Sequence, residues 1–424
     1  MFFELENIGK IKKSCIELRG ITVLAGGNGT GKSTFGKMLY CMFNAFCNSD
    51  EQIKLERKKS IRNIFERMAI VPLDAHYVSR IVDDIVGEID EKKVVNKVKQ
   101  LFEEIIQKVE KTLNPKEIIN AVQNKLNDES DDILKKVQRS LSIDNDQIQK
   151  NILISYLSSI FEGQITHINN VDKQGIVSLS FRGGEFKLEV RVDVSKGVDY
   201  SSNVSIAHNA FYVDTPFILD KINSHRTYES KYRQDLLEHI HYSEKRSNAV
   251  DTEIVKQQLE TVLQSITFVV PGEFKKTDFG GGLGFQENGL DKPLGLANIS
   301  AGMKPFLIIK RLLETHAIRE EDVLILDEPE IHLHPEWQVE FAKALVLLQK
   351  AFNLTILLTT HSPYFMRAIE VFSIKEKITD CCNYYITTNK DGFCFAEDVT
   401  KDTDDIYQIL SKPFQTLDNI LYEK

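Results

Sequence analysis

Three features are missing from this 424-residue sequence: a Cys-x-x-Cys pair, a long apolar run and an excess of basic residues. The six cysteines (Cys15, Cys41, Cys47, Cys381, Cys382 and Cys394) are too few and too scattered for a disulfide framework, so they are expected reduced. Cys381, Cys382 and Cys394 are poorly spaced for a tetrahedral metal site, because two of them are adjacent. No stretch approaches the ~20 apolar residues of a membrane span, and MFFELENIGK places Glu4 and Glu6 where a secretory signal would carry basic residues. A cytoplasmic protein without a membrane partner is expected. With 53 basic against 62 acidic residues the net charge is −9, so no global field draws in nucleic acid, although a local basic groove stays open. What is there, 42% apolar and 27% charged residues, is the composition of an ordinary globular chain long enough for two or three lobes.

The first residues supply the strongest pattern. FFELENIG, SCIELRG and ITVLAGGNG read as three strands, the last running into a glycine-rich turn and an apolar helix from Lys32 to about Phe46. GGNGTGKS, Gly26 to Ser33, then satisfies Gly-x4-Gly-Lys-Ser/Thr in the setting that pattern needs. Such a loop turns consecutive backbone N–H groups and a helix N-terminus toward a phosphate. Lys32 would reach the β- and γ-phosphates, and Ser33 would give a hydroxyl to Mg2+.

Three later segments fit the same chemistry. VLILDEPE, Val323 to Glu330, is a buried apolar strand ending in carboxylates: Asp327 is the candidate for the metal, Glu328 for the base that takes a proton from water. LTILLTTHSPYF is a second buried strand, ending at His361, which could hydrogen-bond a γ-phosphate. In ISAGMK, Ser300 and Gly302 precede FLIIKRLLE, an apolar helix with proline near its start, and so form a second anion-binding helix N-terminus. One phosphate loop already encloses this chain's own triphosphate from one side. The second site is most simply a lid over the nucleotide of another copy. The GGGLG run at 280–284 has no apolar strand before it and no helix after it, and reads as a turn. His332 and His334 in EIHLHPEW lack a third zinc ligand and read as a loop.

Between these segments, Val94, Val98, Leu101, Phe102, Ile105, Val109 and Leu113 recur at helical spacing, and Asn114-Pro115 is a helix stop. Residues 88–150 carry 12 basic and 13 acidic side chains, a solvated helical surface rather than a DNA-gripping arm. Since ~20 helical residues span only ~30 Å, this is a compact insertion and not a lever. Val177, Leu179 and Phe181, then Phe186, Leu188, Val190 and Val192, alternate around Gly183-Gly184 as a hairpin with a two-residue turn. FYVDTPFILDKI is another strand entering a turn.

In this order, Gly26 to Ser33, Ser300-x-Gly302, Asp327-Glu328 and His361 resemble the ABC-class ATPase heads of transporters, SMC-like and RecF-like proteins. The wording of ISAGMKPFLIIKRLLE, LILDEPEIHLHPEWQ, TTHSPYFMRAIE and FYVDTPFILD is similar to a narrower group, the OLD-like and PtuA-like ATPases of bacterial antiphage systems, Septu and retron-associated ones among them. The likeness covers roughly residues 1–47 and 205–372 and leaves out the helical insertion.

The resemblance implies an α/β fold: a P-loop NTPase head of ABC type with a mixed central sheet, helices on both faces, an antiparallel β subdomain and a helical insertion. Expected divisions are an N-terminal lobe at 1–87, the insertion at 88–161, a β region and lobe connection at 162–222, a C-terminal lobe at 223–372 and an extension at 373–424. It implies ATP and Mg2+ as ligands. Gly26, Asn28, Gly29, Gly31, Lys32, Ser33 and Thr34 would bind the triphosphate, with Ser300 and Gly302 touching the γ-phosphate from the other copy of a head-to-tail dimer or larger even-numbered assembly. The family's metal-proximal glutamine has only Gln164 as a candidate, by position, and no adenine-contacting aromatic is assigned. OLD nucleases continue into a metal-dependent TOPRIM domain. Here 63 residues follow His361, and Asp402-Thr403-Asp404 reads as a solvated acidic loop. Nuclease chemistry is therefore expected in a separate effector encoded nearby, with nucleic acid reached through the complex. The alternative is a DNA repair or recombination ATPase that binds DNA directly.

Overall fold

A computed structural model of the chain describes residues 1–67, 75–86, 91–112, 131–170, 172–223, 229–241, 260–278 and 281–422. These residues form two compact units, Met1–Cys47 with Leu153–Lys424, and Asn48–Ile152.

The larger unit is built on one eleven-stranded sheet. Its strands are β1 (Phe2–Ile8), β2 (Ile11–Glu17), β3 (Ile21–Gly26), β4 (Gly175–Phe181), β5 (Phe186–Asp193), β6 (Gly197–Ser202), β7 (Ala210–Val213), β11 (Val323–Asp327), β12 (Thr355–Thr360), β13 (Cys382–Lys390) and β14 (Phe393–Asp398), in the order β6-β5-β4-β1-β2-β14-β13-β3-β12-β11-β7. From β13 to β7 neighbours are parallel; from β6 to β2 they are antiparallel. The mixed sheet with an antiparallel part is the fold class expected. Sequence explains the division. β3, β7 and β12 are buried almost throughout, on both faces, as parallel strands under helices must be, while β5 alternates buried and exposed residues. A separate three-stranded sheet contains β8 (Gly272–Lys276), β9 (Leu283–Glu287) and β10 (Leu294–Gly295).

The helices used below are α1 (Lys32–Phe46), α2 (Ser49–Arg67), α3 (Ala75–Val86), α4 (Glu91–Thr112), α5 (131–142), α6 (Asn145–Phe161), α7 (Lys231–His241), α8 (260–269), α9 (Lys304–Glu314), α10 (Pro335–Phe352), α11 (Pro363–Glu376) and α12 (Asp404–Tyr422). Residues from β3, β7, α7, α9, α10, β12 and α11 share one apolar core in which Phe306, Phe341, Phe352 and Phe365 are fully enclosed. Successive edge contacts, Phe306 to Trp337 and Phe306 to Phe341, tie α9 to α10.

Three expectations change. The chain beyond 372 is not an appendage, because β13 and β14 lie inside the sheet and Thr387 pairs in register with Gly26. The hairpin at Gly183-Gly184 is present, but Phe181 pairs with Phe186, so its connection has four residues, with Arg182, Gly183 and Gly184 all at positive φ. The helical unit begins at Asn48 rather than at 88, because Ile61 and Phe65 of α2 share a core with Val82, Ile85, Val94, Val98 and Val137. Asn114-Pro115 and Gly280 lie outside the described residues; Gly281 and Gly282 belong to the connection between β8 and β9, as the turn reading expects.

The entry into β11 yields a pH prediction. Asp322 is 2% exposed and accepts from the backbone N–H of Asn209 at 2.9 Å and of Arg319 at 2.8 Å, clamping the starts of β7 and β11. Burial pushes its carboxyl up to about 6. A raised folded-state value stabilises the fold fully below the unfolded value near 3.8 and loses that contribution as pH rises through 6, about 3 kcal/mol in all. The Tm advantage of the wild type over Asp322→Asn should therefore shrink between pH 4 and pH 7. Parallel Tm curves across that range would contradict the assignment.

Candidate functional site

β3 delivers the chain to the first motif. All six of its residues are buried, and the chain must then turn sharply to start α1. Gly26 (φ 154°) and Gly31 (φ 87°) take the conformations that only glycine adopts cheaply. They are also places of close approach. A Cβ on Gly26 would fall 2.3 Å from Thr387 Oγ1, and one on Gly31 would fall 3.2 Å from Cys394 Cβ. β13 and β14 thus form the floor of the loop. Thr387 tightens this contact: its hydroxyl lies 2.6 Å from that of Thr30, which also donates to the Gly27 carbonyl.

α1 begins with neither a side-chain cap nor an acidic residue in its first turn, so its N-terminal dipole is left for an anion. Gly27, Asn28 and Gly29 are exposed above it. Lys32 is 4% exposed, and its ammonium donates to the carbonyls of Gly26 at 3.0 Å and Gly27 at 2.9 Å and stands 3.4 Å from Glu328 Oε1. Residues 296 positions apart in sequence are therefore paired across the site, as the two motifs predict.

The carboxylates are held by residues that the sequence reading did not single out. Asp327 accepts from Tyr212 at 2.7 Å on one oxygen and from Thr359 at 2.5 Å on the other. The Thr359 oxygen also accepts from the Glu328 N–H at 3.0 Å, so one hydroxyl sets both acids. Glu328 adopts a left-handed backbone (φ 51°), which turns the chain out of the strand. His361 Nδ1 lies 3.6 Å from Glu328 and 3.9 Å from a further carboxylate, Glu330, which is buried and bonded to Thr360. Desolvation raises the Glu330 carboxyl above its ordinary range. Tyr212 is buried beside Asp327, and burial followed by that charge raises its phenol strongly, so it donates and stays neutral. The Thr-Thr doublet before His361 was the visible signal, since two hydroxyls at a strand end can serve two neighbouring acids.

This donor set fits a nucleotide and a divalent cation. The loop offers glycine-lined open space, a helix N-terminus and a buried cation, and Asp327 keeps lone pairs beyond those taken by Tyr212 and Thr359. Ser33 and Thr34 are half-buried in the first turn of α1, and Gly9 of the β1–β2 turn faces Thr34. Gln164 is exposed next to Ile165, whose carbonyl accepts from Gly9, so its segment runs past this turn.

Ser300 and Gly302 are elsewhere. Ser300 is exposed, and its carbonyl accepts from Met303. A Cβ at Gly302 would meet the His332 carbonyl at 3.1 Å and the Trp337 ring at 3.2 Å. The described hydrogen bonds and close packing of these two residues do not involve the phosphate loop. Lys304 is committed inward, 2.5 Å from Asp220 and over the Phe217 ring. His334 caps α10 by accepting from Glu336 N–H, and His332 rests edge-on against Phe217. Asp402 accepts from the backbone of Asp404 at the start of α12. Among the described residues, no group of three or more His, Cys, Asp or Glu could hold a metal, and no helix is long and apolar enough to cross a membrane.

The fold and the paired motifs define an ATPase head of the P-loop class. Residues 96–367, more than half of the chain, match the family described as "AAA domain, putative AbiEii toxin, Type IV TA system". The chain belongs to that AAA-domain family. Among solved structures, it is similar to an SMC head bound to the C-terminal winged-helix domain of ScpA (11% identity, 95% of this chain and 98% of that one, TM-score 0.44). It is also similar to an SMC head domain from Thermotoga maritima (12% identity, 94% and 98%, TM-score 0.41).

The Thr359 clamp is open to test. Thr359→Val keeps the volume but removes the hydroxyl that donates to Asp327 and leaves the Glu328 N–H only the Thr359 carbonyl, and should cost about 1–3 kcal/mol in urea unfolding, whereas Thr359→Ser should cost less than half of that. Equal stability of Val and wild type would contradict the clamp.

Proposed function

We propose that the chain is an ATP-binding and ATP-hydrolysing subunit that closes head to tail on a second copy around ATP and Mg2+. Its nucleotide state would hold or release a separate effector. The observation that carries this reading is the division of anion-binding groups. Lys32, Glu328 and His361 converge on one phosphate loop, while the exposed Ser300 and the buried Gly302, on the turn before α9, are held by Met303, His332 and Trp337 instead. A triphosphate on the loop would be enclosed from one side only. A second copy, turned head to tail, supplies the other side.

In this reading, backbone N–H groups from Gly27 to Thr34 and the Lys32 ammonium bind the β- and γ-phosphates, displacing the loop carbonyls that now hold Lys32. Mg2+, held by Ser33 and through Asp327, would neutralise charge on the phosphates. Glu328 accepts a proton from the attacking water as the bond from oxygen to the γ-phosphorus forms and the bond to the ADP oxygen breaks. His361 donates to a γ-phosphate oxygen. Ser300 and Gly302 of the other copy meet the same group, so closure depends on ATP and reverses after hydrolysis.

Assignment to antiphage defence, within the OLD-like and PtuA-like group, rests on the motif wording described above. The effector's chemistry is proposed to be a nuclease, contributed by another chain.

Two substitutions test the hydrolytic reading. Glu328→Gln should lower turnover at least about 100-fold and trap an ATP-dependent dimer detectable by light scattering. Ser300→Arg should remove turnover to a similar extent while leaving binding of a fluorescent ATP analogue to the single chain within about threefold of wild type. Full turnover by either variant would refute its residue's role.

A further inference from the structure

The hydrolytic reading does not use Glu330, yet this carboxylate joins the segment that follows Glu328 to the turn that carries His361. Glu330 is 2% exposed. Its Oε1 accepts from the His361 backbone N–H at 3.0 Å and from the Thr360 hydroxyl at 2.5 Å, and its own carbonyl accepts from Leu333 N–H at 2.9 Å. A parallel link lies alongside. The Ser362 hydroxyl donates to Gln338 Oε1 at 2.6 Å, and the Gln338 amide donates to the Leu333 carbonyl at 3.1 Å, with both side chains buried. Segment 328–334 is thereby stitched at two points to the turn that carries His361.

The far side of the same segment supports the turn of Ser300 and Gly302. The His332 carbonyl and the Trp337 ring are the atoms that a Cβ at position 302 would meet at 3.1 and 3.2 Å, so Gly302 packs on this segment and on the start of α10 with no slack. Close-packed elements of this kind pass on small shifts instead of absorbing them. The hydrogen bonds to Oε1 alone do not account for an acid here, because a neutral amide would accept them equally well. Glu330 Oε2 is buried and has no hydrogen-bond partner among the described residues, an arrangement that costs free energy. The His361 ring is its neighbour on this side. Its Nδ1 stands 3.9 Å from Glu330 Oε1, too far for a hydrogen bond but within reach of a small ring rotation.

We propose that Glu330 is a positioning residue that couples the two ends of the site: a phosphate contact at His361 is transmitted through Glu330 and segment 328–334 to Gly302. The turn of Ser300 and Gly302 is then set for a second copy by the nucleotide bound in its own chain. This rests on the reading of His361 as a γ-phosphate contact.

The experiment uses full-length Ser300→Arg protein, shown to be monomeric by sedimentation, so that no second copy touches the turn. Amide hydrogen exchange is followed at 296–306 with and without ATP and Mg2+. ATP should slow exchange there by about threefold or more. Adding Glu330→Ala should abolish that response while ATP still protects residues 26–34. Gln338→Leu cuts the parallel link, should weaken the same response, and decides the matter if Glu330→Ala does not fold. A parent protein with no ATP response at 296–306, or a response that survives these substitutions with ATP bound, overturns the proposal. Full-speed ATPase activity of the monomer would instead contradict the head-to-tail reading and leave the coupling intact.

Discussion

The ammonium of Lys32 is the charge around which the site is arranged. It is buried, so it must be compensated, and in this structure the compensation comes from the Gly26 and Gly27 carbonyls and the Glu328 carboxylate. Those partners are also the groups that a triphosphate would displace or need. On the proposed function, the loop would exchange one set of oxygens for another at the lysine. Everything that fixes Glu328 then matters to Lys32 as well, which is why the end of β12 is as important to the site as the phosphate loop.

That strand end does two jobs with adjacent residues. Thr359 sets Asp327 and the Glu328 backbone, and Thr360 sets Glu330. Because β12 lies between β3 and β11, its end stands between the loop and the acids, and His361 follows directly. The opposite flank is closed by β13 and β14, whose Thr387 and Cys394 occupy the space beneath Gly26 and Gly31. A loop floored on one side and clamped on the other holds its shape before any ligand arrives, which lowers the ordering cost of binding.

Contiguous patterns were readable from the sequence. The phosphate loop, the Asp327-Glu328 strand and the strand ending at His361 each consist of neighbouring residues whose spacing fixes their geometry, and they come together as expected. Contacts that depend on strand order were not readable. Nothing local to CNYYITTNK says that it inserts beside β3, so the sequence alone reads as an extension there and does not point to Thr387. Tyr212 meets Asp327 only because β7 pairs with β11. Glu330 stood within a quoted motif, but its partners come from a different strand, and its burial is a tertiary fact. The start of the helical unit was missed for a related reason: α2 is so polar that its two core residues, Ile61 and Phe65, hardly register as a period.

The central claim is that one copy has an incomplete hydrolytic pocket and a second copy completes it. The most direct measurement mixes two inactive variants, Lys32→Ala and Ser300→Arg, in equal amounts and records ATP turnover. In a head-to-tail pair, each mixed dimer would hold one intact site of two while neither variant alone holds any, so mixing should restore turnover, up to about half of wild type. No recovery, in a mixture shown to form mixed dimers, would contradict the account.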